Sequence, residues 1–202
     1  SSPPELHAPD ISSVVATGTI VNDDTMFSLA AVQMTGFEGN GGTPQPFTFS
    51  ITRSGAVGQS ASVAWSVVGF GANPADAADF SGAELPGGVI TFTNGQTIET
   101  VSLYSAGDDV VEPDETFAVL LSHPSGAATL GTSAIAGIIA NDDSNLSIAP
   151  LAAVQAEDSA TPPSFVVTRS GNLSVAQSAI WAVAGSGANP ADAADFTGGV
   201  LP

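Results

Sequence analysis

Apolar and polar residues alternate with a period of two along most of this chain. Phe47, Phe49 and Ile51 are interleaved with Thr48, Ser50 and Thr52, and Val63, Trp65 and Val67 with Ala64 and Ser66. Ile90 with Phe92, Val101 with Leu103, and Phe117, Val119 and Leu121 continue the pattern. A two-residue period describes strands with one buried face, whereas an amphipathic helix repeats every 3.6 residues. Each run is short and bounded by Gly, Pro, Asn or Asp, the residues that turn a chain. The pattern predicts seven strands, at 27–33, 45–53, 60–68, 88–93, 98–105, 115–122 and 132–140. Seven strands with an apolar face and a Ser/Thr-rich face predict an all-β antiparallel sandwich. Trp65 and Trp181 are expected in its core. The stretch NPADAAD could add one helical turn, since Pro is tolerated at a helix start and Ala favours helix.

The chain also repeats itself. GANPADAADF stands at 71–80 and again at 187–196, and TRSG at 52–55 and 168–171. LAAVQ at 29–33 recurs at 151–155, and GTIVNDD at 18–24 corresponds to AGIIANDD at 136–143. Markers in the same order predict tandem repeats. Residues 1–24 read as the tail of a preceding repeat, 25–143 as one complete repeat, and 144–202 as the first half of the next.

Charge narrows the function. The chain carries 20 acidic residues and two arginines, a formal net charge of -18. Such a chain cannot displace the counterions of nucleic acid or dock on anionic lipid. No run of 18 apolar residues predicts a membrane span. With no cysteine, disulfides, thiolate chemistry and Cys-based zinc sites are excluded. The opening SSPPELHAPD has neither the basic nor the apolar region of a signal peptide.

The acids fall on particular loops. Glu38 follows the first predicted strand, and Asp76 and Asp79 follow the third. GDDVVEPDE, with Asp108, Asp109, Glu112, Asp114 and Glu115, lies between the fifth and sixth. Asp142 and Asp143 close the last. Strand direction alternates in a sandwich, so these loops are expected at one pole. Eight or more carboxylates that close repel unless cations neutralise them. Several oxygen ligands on flexible loops suit Ca²⁺, whereas Mg²⁺ keeps more water. Zinc is disfavoured by the absence of Cys and by only two histidines, His7 and His123, both read as turn residues. Asp76 and Asp192 read as caps of a short turn, and Asp114 is expected to point outward.

TRSG, the run ending in ADAADF, GVITFTNGQT, DDVVEPDETFAVLLSHPSG and the closing IIANDD together resemble a Calx-β domain, the module of sodium–calcium exchanger regulatory regions. The D-D-x-x-E-x-D-E-x-F pattern is the most specific part. The resemblance implies an immunoglobulin-like sandwich that binds Ca²⁺ at one pole. It implies ligands at Glu38, Asp79, Asp108, Asp109, Glu112, Glu115, Asp142 and Asp143. Two departures lower the ligand charge. Gly107 and Asn141 stand where the family often has a third aspartate, although Asn141 retains a carbonyl oxygen. A third places Phe80 where Tyr is usual. Asp23 and Asp24 match the closing pair of a preceding site, and Glu157 and Asp195 the first two positions of a following one.

The expected function is architectural. Calcium at each pole would stiffen the junction to the next repeat, around Ser144–Asn145, in an exported, bacterial surface or matrix protein such as an adhesin, S-layer or filament component. Expected partners are neighbouring repeats of the same chain, with self-assembly by strand exchange a further route. Two rivals are a calcium sensor and an adhesive module binding sugar or protein, for which Phe37, Phe70 and Tyr104 are candidate exposed aromatics. Paired carboxylates can hydrolyse glycosides, but no catalytic His, Ser motif or Lys accompanies them and no enzyme is expected.

Overall fold

The computed structural model describes residues 17–41, 43–151, 154, 156, 159, 161, 163–196, 200 and 201. The expected strands are present, in two facing sheets. One has the order β6-β3-β1-β8 and the other β2-β9-β7-β4-β5. The strands are β1 (Thr25–Gln33), β2 (Thr35–Phe37), β3 (Pro46–Gly55), β4 (Ala61–Gly69), β5 (Gly87–Phe92), β6 (Ile98–Tyr104), β7 (Glu115–Ser122), β8 (Thr129–Leu130) and β9 (Ala134–Ala140). A separate hairpin pairs β10 (Ser144–Pro150) with β11 (Phe165–Gly171).

The alternating apolar positions meet between the sheets. Phe27, Phe47, Phe49, Phe80, Phe92 and Phe117 are fully buried, with Ile51, Val63 and Val119. Phe117 is packed edge-on by Phe47 and Phe80, each with ring centroids 5.5 Å away and planes at 90°. Such edge-to-face pairs place the positive rim of one ring against the negative face of another. Trp65 meets Phe49 at 5.4 Å and packs against this core from its margin.

The strand predicted at 27–33 lies within β1, but the chain just beyond it changes sheets. β1 pairs antiparallel with β3 until the register shifts between Ala31 and Gln33. The chain then crosses at buried Met34, and β2 runs parallel to β9, pairing Phe37 with Ala140. The crossing matters for the site. Parallel neighbours end at the same pole, so Glu38 and the Asn141–Asp143 turn emerge side by side. β7 is antiparallel to β9 and begins there, with Glu115 opposite Ile139.

The hairpin β10–β11 reproduces the register of β1–β3: Ser144 pairs with Gly171 as Thr25 pairs with Gly55. Trp181 departs from expectation, at 61% exposed. Residues 172–192 form no strand, so no second sheet covers the indole. The two copies of NPADAAD differ slightly. Ala193–Asp195 forms a single 3-10 turn capped by Asp192, whereas the first copy is an open turn with the same cap: Ala78 N donates to Asp76 Oδ1 at 2.6 Å.

Candidate metal centre

Two carboxylate triads occupy the pole where β2, β6 and β9 end and β7 begins. Glu38, Asp108 and Asp143 bring one carboxylate oxygen each within 4.8 Å of one another, and Asp79, Glu112 and Glu115 do the same. Six of the eight expected ligand positions are thus gathered into two groups. Asp142 and Asp109 belong to neither. Asp142 Oδ1 accepts from Gly39 N at 3.3 Å, and Asp109 is exposed. Both still raise the Asp143 pKa by repulsion.

The backbone explains the convergence. Glu38 N donates to Ala140 O at 3.0 Å, tying the end of β2 to β9. Ala106 N donates to Asp79 O at 2.9 Å, tying the loop after β6 to the loop after β4. Gly107 lies so near Gly39 O that any Cβ there would overlap the carbonyl. The missing third aspartate at this position therefore has a steric cause. Asn141 is likewise structural: its Oδ1 accepts from Glu112 N at 3.2 Å and Asp143 N at 3.3 Å. That side-chain oxygen is thus engaged in holding the turn. Asp114 is exposed, as expected, but it is also a tether, with Oδ1 accepting from Asn141 N at 3.1 Å.

Burial without counter-charge sets the electrostatics. Glu38 and Asp143 are 8% and 6% exposed, and Glu38 Oε1 and Asp143 Oδ2 are buried with no hydrogen-bond donor. Burial, then repulsion from Asp143, Glu112, Asp108 and Asp142, pushes the Glu38 carboxyl up to about 7. Burial, a side-chain hydrogen bond with Asp79 and repulsion from Asp79, Glu112 and Asp76 push Glu115 up to about 8. Glu112 and Asp143 are also raised, each mainly by burial and then by neighbouring carboxylates. Neither arginine relieves this crowding. Arg53 donates to Ala56 O at 2.7 Å and Arg169 to Asn172 O, both carbonyls.

Two contributors were not anticipated. Ser105 is fully buried, and its hydroxyl donates to Glu38 O and accepts from Gln45 N at 2.9 Å, fixing the Glu38 backbone. Asn40 Nδ2 donates to Asp143 Oδ1 at 2.9 Å. Its place in the Gly-rich run GNGGT reads only as a turn. Of the outlying candidates, Asp23 and Asp24 are exposed at the opposite end of β1. Asp195 Oδ2 accepts from Asp192 N at 2.7 Å, and Glu157 lies outside the described residues.

The donors are all carboxylate oxygens, two of them buried acceptors lacking any donor. This fits a hard divalent cation, and the fit is to calcium rather than zinc in ligand type.

No family model matches the chain. Among solved structures, the apo-form CBD1 domain of Calx superposes with a TM-score of 0.50 and 23% identity, covering 59% of this chain and 98% of that one. The two-domain CBD12 from CALX1.2 gives a TM-score of 0.50 and 24% identity, covering 58% of this chain and 46% of that one. The chain therefore contains a domain of Calx-β-like fold.

Proposed function

We propose that residues 25–143 form a calcium-binding structural repeat, in which Glu38, Asp108 and Asp143 hold one ion and Asp79, Glu112 and Glu115 a second. Asp109 and Asp142 add negative charge and further oxygens at the rim. The observation that carries this reading is the pair of buried, donorless oxygens, Glu38 Oε1 and Asp143 Oδ2. An uncompensated buried carboxylate is costly, and a divalent ion supplies both the charge and the coordination that the chain withholds. Bound calcium would supply positive charge, while these carboxylates would coordinate it and so orient the loops around it.

The reading extends to the junction. Asn172, just after β11, donates from its backbone N to Asp143 O at 2.7 Å and from Nδ2 to Asn141 O at 3.2 Å. Ordering the pole would thus order the contact with the following hairpin. Arrays of such units would form stiff rods, and we place them outside the cell, on a bacterial surface or in a matrix, with neighbouring repeats as partners and filament assembly a further role. Because the unfolded chain lacks the site, each ion at a hundredfold excess over Kd adds about 2.7 kcal/mol to stability.

Calorimetric titration of the whole chain with Ca²⁺ tests this. The expected result is two ions per chain with dissociation constants of about 10⁻⁴–10⁻³ M, the range of extracellular modules. Glu112→Gln is expected to remove one of them. Affinities of about 10⁻⁷–10⁻⁵ M would favour a sensor instead, and absence of binding heat would refute the proposal.

A further inference from the structure

We infer that the open lateral edge of the sandwich carries a binding groove for a neutral oligosaccharide. The groove lies between β5, the edge strand of one sheet, and β6, the edge strand of the other, and the loop after β4 closes it. Its volume is about 350 Å³, and Trp65, Ser81, Glu84, Leu85, Ser102 and Tyr104 line it. This is small for a ligand site and matches about one or two sugar rings.

Its surface combines apolar faces with solvent-accessible polar groups. Tyr104 and Leu85 are 50% and 44% exposed. The Trp65 indole lies against Gly88, where any Cβ would stand 3.3 Å from Nε1. Among the described residues, the indole N–H, the Tyr104 hydroxyl and the Glu84 carboxylate have no hydrogen-bond partner in the protein. Trp65 is therefore packed at one end against the core, while Tyr104 stands exposed at the rim of the groove. The loop that closes the groove holds Ala83 at φ 54°, a left-handed conformation rare for a residue with a Cβ. Strain of this kind concentrates at ligand clamps.

The chemistry of the lining selects the occupant. Glu84, in a chain of net charge -18, repels anions. The indole N–H can only donate, the carboxylate can only accept, and the phenol does both. Sugar hydroxyls meet all three, and the C–H faces of the ring pack on the aromatics. A proline-rich segment also docks on aromatic grooves, but its carbonyls only accept and would leave Glu84 desolvated without a donor. A neutral sugar is the better match.

The groove can be read through Trp65. In the Trp181→Phe background Trp65 is the sole indole, and its emission can be followed as cellobiose, maltose, lactose and diacetylchitobiose are added in chelator. The expected result is a saturable change with at least one of them, at about millimolar Kd. Tyr104→Ala and Glu84→Gln should each weaken it about tenfold, whereas Gly58→Ala, outside the groove and with nothing within 4 Å, should leave it unchanged. Both groove variants alter exposed side chains, and circular dichroism would verify folding. The inference is overturned by no saturable response up to about 50 mM, well above that Kd. A response that survives Tyr104→Ala, or saturation by a proline-rich peptide alone, would overturn it equally.

Discussion

Glu38 Oε1 and Asp143 Oδ2 are buried acceptors with no donor, and a single substitution separates their two possible meanings. Glu38→Gln removes a charge and supplies an amide that can donate to Asp143. In chelator it should raise Tm by several degrees, since about 1 kcal/mol corresponds to about 4–8 °C in a domain near this size. In calcium it should lower stability by about 3 kcal/mol, the contribution of one ion. Opposite signs in the two conditions are the signature of a metal ligand, whereas a structural carboxylate would lose stability in both. The pH dependence follows the same logic. Burial and neighbouring carboxylates push Glu38 and Glu115 up to about 7 and about 8 in the folded chain, above the ordinary 4.5 of a glutamate. Their folded forms bind protons more tightly, so the stability they contribute is fully present below about pH 4.5 and is lost as pH rises through their folded values. Chelated protein should therefore melt at progressively lower temperature from about pH 5 to 8. Saturating calcium, which displaces those protons, should offset the loss.

At the scale of elements, the site depends on β2 crossing to lie beside β9, and that crossing is packed tightly. A Cβ on Gly137 would overlap the Phe117 ring and stand 2.8 Å from Met34 O. Gly137→Ala should cost about 3 kcal/mol by overpacking, while Gly58→Ala, which meets nothing within 4 Å, should stay within about 0.5 kcal/mol. Urea midpoints would measure both. The same crossing marks a boundary of what the residues alone reveal. Alternation in residues 27–33 correctly announces a strand and its buried face, because burial follows side-chain period. It does not state which sheet the next residues join, since Thr35-Gly36-Phe37 pairs through backbone groups. The site follows suit. Loops leaving alternate strands had to meet, which made the cluster readable. Its division into two triads, with Asp142 accepting from Gly39 N and Asp143 from Asn40, depends on hydrogen bonds that leave no mark in composition.

Across the sandwich of residues 25–143, most of the acidic residues are gathered at one pole, and the next hairpin begins directly on it. The side chain of Val111, in the acidic loop itself, stands 2.9 Å from where a Cβ on Gly171 would lie, so that loop and β11 touch. The turn before β10 also matches the turn before β1: Ala56 N donates to Asp24 O at 2.7 Å as Asn172 N donates to Asp143 O. The recurrence of NDD and TRSG made this equivalence readable in the sequence. The exposure of Trp181 was not, because an alternating stretch does not disclose whether a second sheet covers it.

The carboxylates of β2, β7, β9 and the loops beside them, on this account, are neutralised by divalent ions rather than by protons or salt. Anomalous diffraction from crystals grown in calcium at neutral pH would test that directly. The account predicts two peaks, one among Glu38, Asp108 and Asp143 and one among Asp79, Glu112 and Glu115. An ordered pole with both triads free of anomalous density would contradict it.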